Sequence, residues 1–184
     1  MVALDVQDLA SIDAAFDAAA AALGPIGVVV NNAGYGVPGR FDAVEWRRHA
    51  DFLQVMVTAV CELTWRLLPS MRAFPDGRIL NVASFAGLMP GSRGQTLYGA
   101  AKAFMIRFSE SLAQEHADRD LRVTALCPGF TWSEFHDVTG TRAMMDRLPA
   151  WAWLDADDVA RAGLDALERG RVIAVPGWRY RLLH

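Results

Sequence analysis

The chain has 184 residues, 53% of them hydrophobic and 21% charged, which is enough apolar material for one packed domain over residues 1–184 and too much for a disordered, collagen-like or disulfide-stapled chain. Lys and Arg number 18 against 21 Asp and Glu, a formal net charge of −3, so no basic face follows a phosphate backbone and the reading has no nucleic-acid partner. Cys61 and Cys127 have no paired spacing, no leader-like segment opens the chain, and no uncharged run nears the roughly 18 residues of a membrane helix, so a cytoplasmic protein with no membrane partner is expected.

In chain order, residues 2–6 read as a short strand, and Ser11 caps an alanine-rich helix that stops at Gly24-Pro25. Residues 26–30 are a β-branched run, apolar on both faces, as a strand buried in a parallel sheet is. Val44, Phe52, Val55, Val60, Leu63, Leu67 and Met71 fit one long helix over about 42–72, broken once and ended by Pro75-Asp76-Gly77. Residues 78–83 follow as a third strand, 84–96 as a glycine-rich loop, 97–116 as a helix and 122–126 as a fourth strand. An aromatic and methionine-rich loop over 130–153 leads to a helix that starts at Asp155-Ala156-Asp157-Asp158, and residues 171–175 form the last strand. Strands alternating with helices of this length specify an α/β fold around a parallel sheet.

One compositional fact points to chemistry. Of the 18 basic residues 17 are Arg, and the single lysine is Lys102. A compact, titratable ammonium kept where Arg serves everywhere else marks a place to look. Tyr98 lies one helical turn before it, so the two side chains share a face, and a neighbouring ammonium would draw the phenol toward neutrality as an acid and base. Ser84 ends the third strand at the carboxyl edge of the sheet, where open α/β folds place ligands. Asn31-Asn32-Ala33-Gly34 and Pro128-Gly129 leave their strands at the same rim, with small residues that let a ligand approach the backbone. His49, His116, His136 and His184 share no metal-ligand spacing, and no metal is expected.

Asp5-Val6, Asn31-Asn32-Ala33-Gly34, Asn81-Val82-Ala83-Ser84, Tyr98-x-x-x-Lys102 and Pro128-Gly129 together resemble the short-chain dehydrogenase/reductase family, in its order and near its spacing over essentially the whole chain. The resemblance implies a Rossmann-like, doubly wound parallel sheet and an oxidoreductase moving a hydride between NAD or NADP and a carbonyl or alcohol. It implies that Ser84 polarises the carbonyl, that Tyr98 passes the proton, and that Lys102 binds the nicotinamide ribose and lowers the tyrosine pKa. It assigns Asp5, Asn31, Asn32, Ala33 and Gly34 to the adenosine side of the cofactor, and Pro128, Gly129 and Thr131 to the nicotinamide, with Ser133 on its carboxamide. Phe130, Trp132, Phe135, Met144, Met145, Trp151 and Trp153 would form a lid over an apolar small-molecule substrate or pack on the next helix. A homo-oligomer through the helices carrying Trp65 and Tyr98 is implied as well.

The pattern breaks at two places. Met56 stands where the family has an asparagine that holds a relay water, so slowed proton transfer is expected. The family's first strand, glycine-rich pyrophosphate turn and second strand have no counterpart, so the chain reads as N-terminally truncated. Gly34-Tyr35-Gly36-Val37-Pro38-Gly39 satisfies G-x-G-x-x-G but lacks the short βαβ context and is read as a false positive. Two absent strands leave a gap of about 14 Å at roughly 4.8 Å per spacing. Either residues 2–6 close it by pairing with residues 26–30, or the apolar edge lies bare. The rival reading is a non-catalytic remnant with weak or no cofactor binding, acting as an interaction or regulatory partner.

Overall fold

The computed structural model describes residues 1–72, 76–140 and 148–183, without the side chains of Leu9, Arg72 and His136. Pro75, Met144, Met145 and His184 therefore lie outside the described residues. Helix α1 (Leu9–Leu23) is capped by Asp8, whose carboxylate accepts from the Ala10 N–H at 2.9 Å, and ends at Gly24 with φ 80°. Ser11 is not its cap: its Oγ accepts from the Asp5 N–H instead.

The sheet is parallel throughout, in the order β1 (Val28–Asn31), β2 (Arg78–Val82), β3 (Arg122–Leu126), β4 (Ile173–Ala174). The helical run expected over 42–72 is α2 (Trp46–Leu53), a π-helical segment (Gln54–Thr58) and α3 (Ala59–Arg72), the π segment being the single break. Helix α4 (Thr96–Glu115) precedes β3, and α6 (Ala156–Glu168) precedes β4. Asp155 caps α6 by accepting from the Asp157 and Asp158 N–H groups. Two short helices, α5 (Phe135–Val138) and α7 (Trp178–Leu182), flank the carboxyl rim.

Successive side chains of β2 and β3 point to opposite faces, and both faces are covered. Ile79, Val123 and Ala125 pack toward α3 and α4, whereas Leu80 and Leu126 pack on Val159, Ala166 and Leu167 of α6. A polar chain crosses the first of these layers. Asn31 donates to Asn81 Oδ1 at 2.7 Å, Asn81 donates to Ser109 Oγ at 2.8 Å, and Ser109 donates to the Met105 carbonyl.

The amino-terminal edge departs from the expectation of a buried β-branched strand. Residues 2–6 form no strand and do not pair with β1, whose one neighbour among the described residues is β2. Val28 is 54% exposed and Val30 47%, so β1 is an open edge rather than a strand buried on both faces. A cavity of about 390 Å³ separates Val2, Leu4 and Val6 from Val29, Val30 and α3.

Candidate active site

Backbone packing brings the three expected catalytic residues together. Ser84 leaves β2 in extended conformation and caps the 3-10 turn Phe85–Gly87, its Oγ accepting from the Ala86 N–H at 3.2 Å. The turn lies directly on α4: a Cβ at Gly87 would sit 2.7 Å from the Lys102 carbonyl carbon and 2.8 Å from the Ala103 nitrogen. Glycine at 87 thus sets the distance between Ser84 and the Tyr98–Lys102 face. The Phe85 N–H donates to the Pro128 carbonyl at 2.8 Å, tying the carboxyl ends of β2 and β3 at one rim.

Tyr98 is half-buried, with its ring 5.7 Å from that of Phe135. Burial raises its phenol above the ordinary value of 10, and a hydrogen bond with the Ser84 side chain pulls the other way. The direction is opposite to the lowering that the resemblance implied. Burial is the reason, and Lys102 stands apart from the phenol: its Nζ lies 5.8 Å from the centre of the Tyr98 ring and donates to the Val82 carbonyl at 2.6 Å. Lys102 is 5% exposed, and loss of hydration brings its ammonium down to about 8, against an opposing pull from Cys127. The Cys127 thiol is itself pushed up to about 12 by burial.

Ser84, Tyr98 and Lys102 line one cavity of about 1500 Å³ at the carboxyl rim, together with Gly34, Pro128, Gly129, Thr131 and Ser133. Asn32, within the stretch expected along the adenosine side, reaches the same cavity. Asn31 and Ala33 do not: they face the smaller cavity beneath β1, and the Asn31 amide is committed to Asn81. Asp5 lines neither, its carboxylate accepting from the Gln7 N–H. Of the aromatic segment, Phe130, Phe135 and Trp151 reach the large cavity, while the Trp132 ring stacks on Trp153 at 4.0 Å. Tyr180, from α7, also lines the cavity, and no sequence motif had marked it.

Two further side chains shape the neighbourhood. Met56, at the centre of the π segment, is fully buried in a cluster against which Tyr98 packs, and a Cβ at Gly34 would lie 2.9 Å from its sulfur. The thioether therefore fills apolar space and offers no strong hydrogen bond. The Gly34–Gly39 stretch opens no helix; Gly39 instead donates its N–H to the Gly94 carbonyl, and the first turn after it is the 3-10 segment Phe41–Ala43. This is the context of a connecting loop rather than of a phosphate cradle. Among the described residues no group of three or more His, Cys, Asp and Glu could hold a metal ion, and no helix is long and apolar enough to cross a membrane.

The ribose side of a dinucleotide fits the residues present. Lys102 is a buried ammonium on the cavity wall that donates one N–H to the Val82 carbonyl, which leaves two N–H directions for ribose hydroxyls. The adenosine side does not fit through Asp5 and Asn31, whose side chains are engaged elsewhere.

Comparison with known proteins agrees with this geometry. A family model described as short chain dehydrogenase matches residues 1–142. The chain is 36% identical over 129 residues to the oxidoreductase UcpA of Salmonella typhimurium, covering 70% of this chain and 49% of that protein. It is 33% identical over 162 residues to the 3-oxoacyl-[acyl-carrier-protein] reductase FabG of Haemophilus influenzae, covering 86% and 66%. A solved short-chain dehydrogenase from Sphingobium yanoikuyae in complex with NADPH superposes with a TM-score of 0.83 at 25% identity, covering 99% of this chain and 70% of that one. The chain thus spans about half to two thirds of the length of the curated relatives it matches.

Proposed function

The chain belongs to the short-chain dehydrogenase family, and from that premise we propose that its carboxyl-rim cavity interconverts an apolar carbonyl compound and its alcohol, with NAD or NADP as the hydride partner. The observation that carries this reading is the convergence of Ser84, Tyr98 and Lys102 on one cavity whose walls are mainly apolar. A bound nicotinamide supplies the hydride. Ser84 holds the substrate oxygen beside the Tyr98 phenol, whose pKa its side chain already pulls down against burial. Tyr98, kept neutral by burial, gives its proton to that oxygen in the reductive direction. Lys102 would hold the ribose through its two remaining N–H groups, and Pro128, Gly129 and Thr131 would border the nicotinamide. Phe130, Phe135 and Trp151 supply apolar wall for the substrate and keep water from the reacting oxygen.

The test is titration of the chain with NADH and NADPH, followed by a ketone screen on the chain and on Tyr98→Phe. Micromolar binding by both chains, with turnover lost about 1000-fold in Tyr98→Phe, is the expected outcome. No binding up to millimolar cofactor overturns it and favours a non-catalytic partner role, for which the open β1 edge and the apolar Met56 are the supporting observations.

A further inference from the structure

After β4 the chain turns at Gly177, with φ 79°, into α7. Trp178, Arg179, Arg181 and Leu182 are exposed, but Tyr180 turns inward. Its hydroxyl accepts from the Phe130 N–H at 3.1 Å and donates to the Ala152 carbonyl at 2.6 Å. Its ring meets that of Phe85 edge-on, with centroids 5.1 Å apart. It also fills the space over Gly129, where a Cβ would stand 1.9 Å from the ring's Cζ. One side chain near the end of the chain therefore touches the neighbour of Ser84, the Gly129–Phe130 turn and the turn at residue 152.

The segment leaving β3 is held from two other sides. The Pro128 carbonyl accepts from the Phe85 N–H, and the Phe130 carbonyl accepts from the Leu154 N–H at 2.8 Å. The Gly129 carbonyl of the Gly129–Phe130 peptide accepts from the Thr131 hydroxyl at 3.1 Å, a bond within the turn itself, whereas Tyr180 ties the Phe130 N–H to the turn at residue 152. Hydrogen bonds at both sides of the hydroxyl and a ring seated on a glycine leave that peptide one position relative to Ser84.

We propose that Tyr180 is a positioning residue: it holds the Gly129–Phe130 turn at the height relative to Ser84 that the nicotinamide end of a dinucleotide requires. This rests on the reading that Pro128, Gly129 and Thr131 border the nicotinamide. The Leu154 and Phe85 bonds survive in Tyr180 variants, so the turn loosens locally while the fold persists.

The experiment compares wild type, Tyr180→Phe and Tyr180→Ala by three readouts: amide exchange at Phe130, affinity for NADPH, and thermal midpoint. Tyr180→Phe keeps the ring and removes both hydrogen bonds; it is expected to speed Phe130 exchange about tenfold and to weaken NADPH about tenfold, with the midpoint little changed. Tyr180→Ala is expected to do both more strongly. Unchanged exchange at Phe130 overturns the proposal, as does faster exchange with undiminished NADPH affinity, which would make the tyrosine structural only. Failure of wild type itself to bind millimolar NADPH removes the enzyme reading and this proposal with it, whereas tight binding by all three chains removes the proposal alone.

Discussion

A single lysine does two opposed things in this protein. Burial brings its ammonium from 10.5 to about 8, a shift equivalent to about 3 kcal/mol against the charged folded form. Between those values the unfolded chain binds the extra proton and the folded chain does not, so stability rises as pH climbs from about 8 toward 10.5. Cys127 has the opposite sign: raised from 9.0 to about 12, it stays protonated in the folded chain while the unfolded thiol ionises, and stability falls from pH 9 upward. Denaturation midpoints are therefore expected to climb from pH 8 to about 9 and then flatten. In Lys102→Met the climb disappears, stability at pH 7 increases by about 1–3 kcal/mol despite the lost Val82 bond, and turnover is abolished. A variant that is less stable at pH 7 refutes the account. Lys102, Tyr98 and Ser84 were all legible in the sequence because rarity, helical spacing and strand-end position are local signals. The direction of the Tyr98 shift was not, since it depends on how deeply the phenol is buried and on the Lys102 ammonium choosing the Val82 carbonyl.

Among the elements, the contact between the Ser84 turn and α4 governs the site. Gly87 has no positive φ to demand glycine; its requirement is space, because α4 backbone lies within 3 Å of where a Cβ would go. Gly87→Ala is expected to cost about 1–3 kcal/mol by overpacking and to lower activity about 100-fold, as Ser84 is pushed from Tyr98. A full loss of stability with unchanged activity per folded molecule, measured after correcting for the folded fraction, contradicts this. Strands β2 and β3 and helices α4 and α6 were readable to within a few residues from apolar runs and caps. Residues 2–6 were not: their pattern suits a strand, but a cavity separates them from the open edge of β1 and they form no ladder with it. Tyr180 escaped for a related reason, its partners lying 50 and 28 residues away in sequence.

For the molecule as a whole, the free side of β1 is the exposed hazard. The Gly27 carbonyl accepts from the Arg78 N–H, so by strand alternation Val28 and Val30 turn their backbone groups away from β2, and their side chains are half exposed. Such an edge recruits another strand. Light scattering across a concentration series is expected to show mass rising with concentration, and Val30→Lys, which places a charge on the edge, is expected to suppress the rise. A mass unaffected by that substitution puts any association elsewhere on the surface. The three-layer arrangement of helices on both faces of a parallel sheet followed directly from the alternation of strands and helices; the open edge depends on which strands are present to pair.

The Asn31–Asn81 contact has a bearing on how the strands find their alignment. Val28, Val29 and Val30 are chemically interchangeable, so sliding β1 along β2 by one residue would seat equally apolar side chains and meet no hydrophobic objection. The slip that carries Asn31 to Val82 and Val30 to Asn81 would instead put both asparagines opposite aliphatic neighbours and strand two amides in the interior, at about 1–3 kcal/mol apiece. That misaligned pairing is thus rejected by a polar mismatch, and a pair of buried side chains selects the native alignment over that near copy.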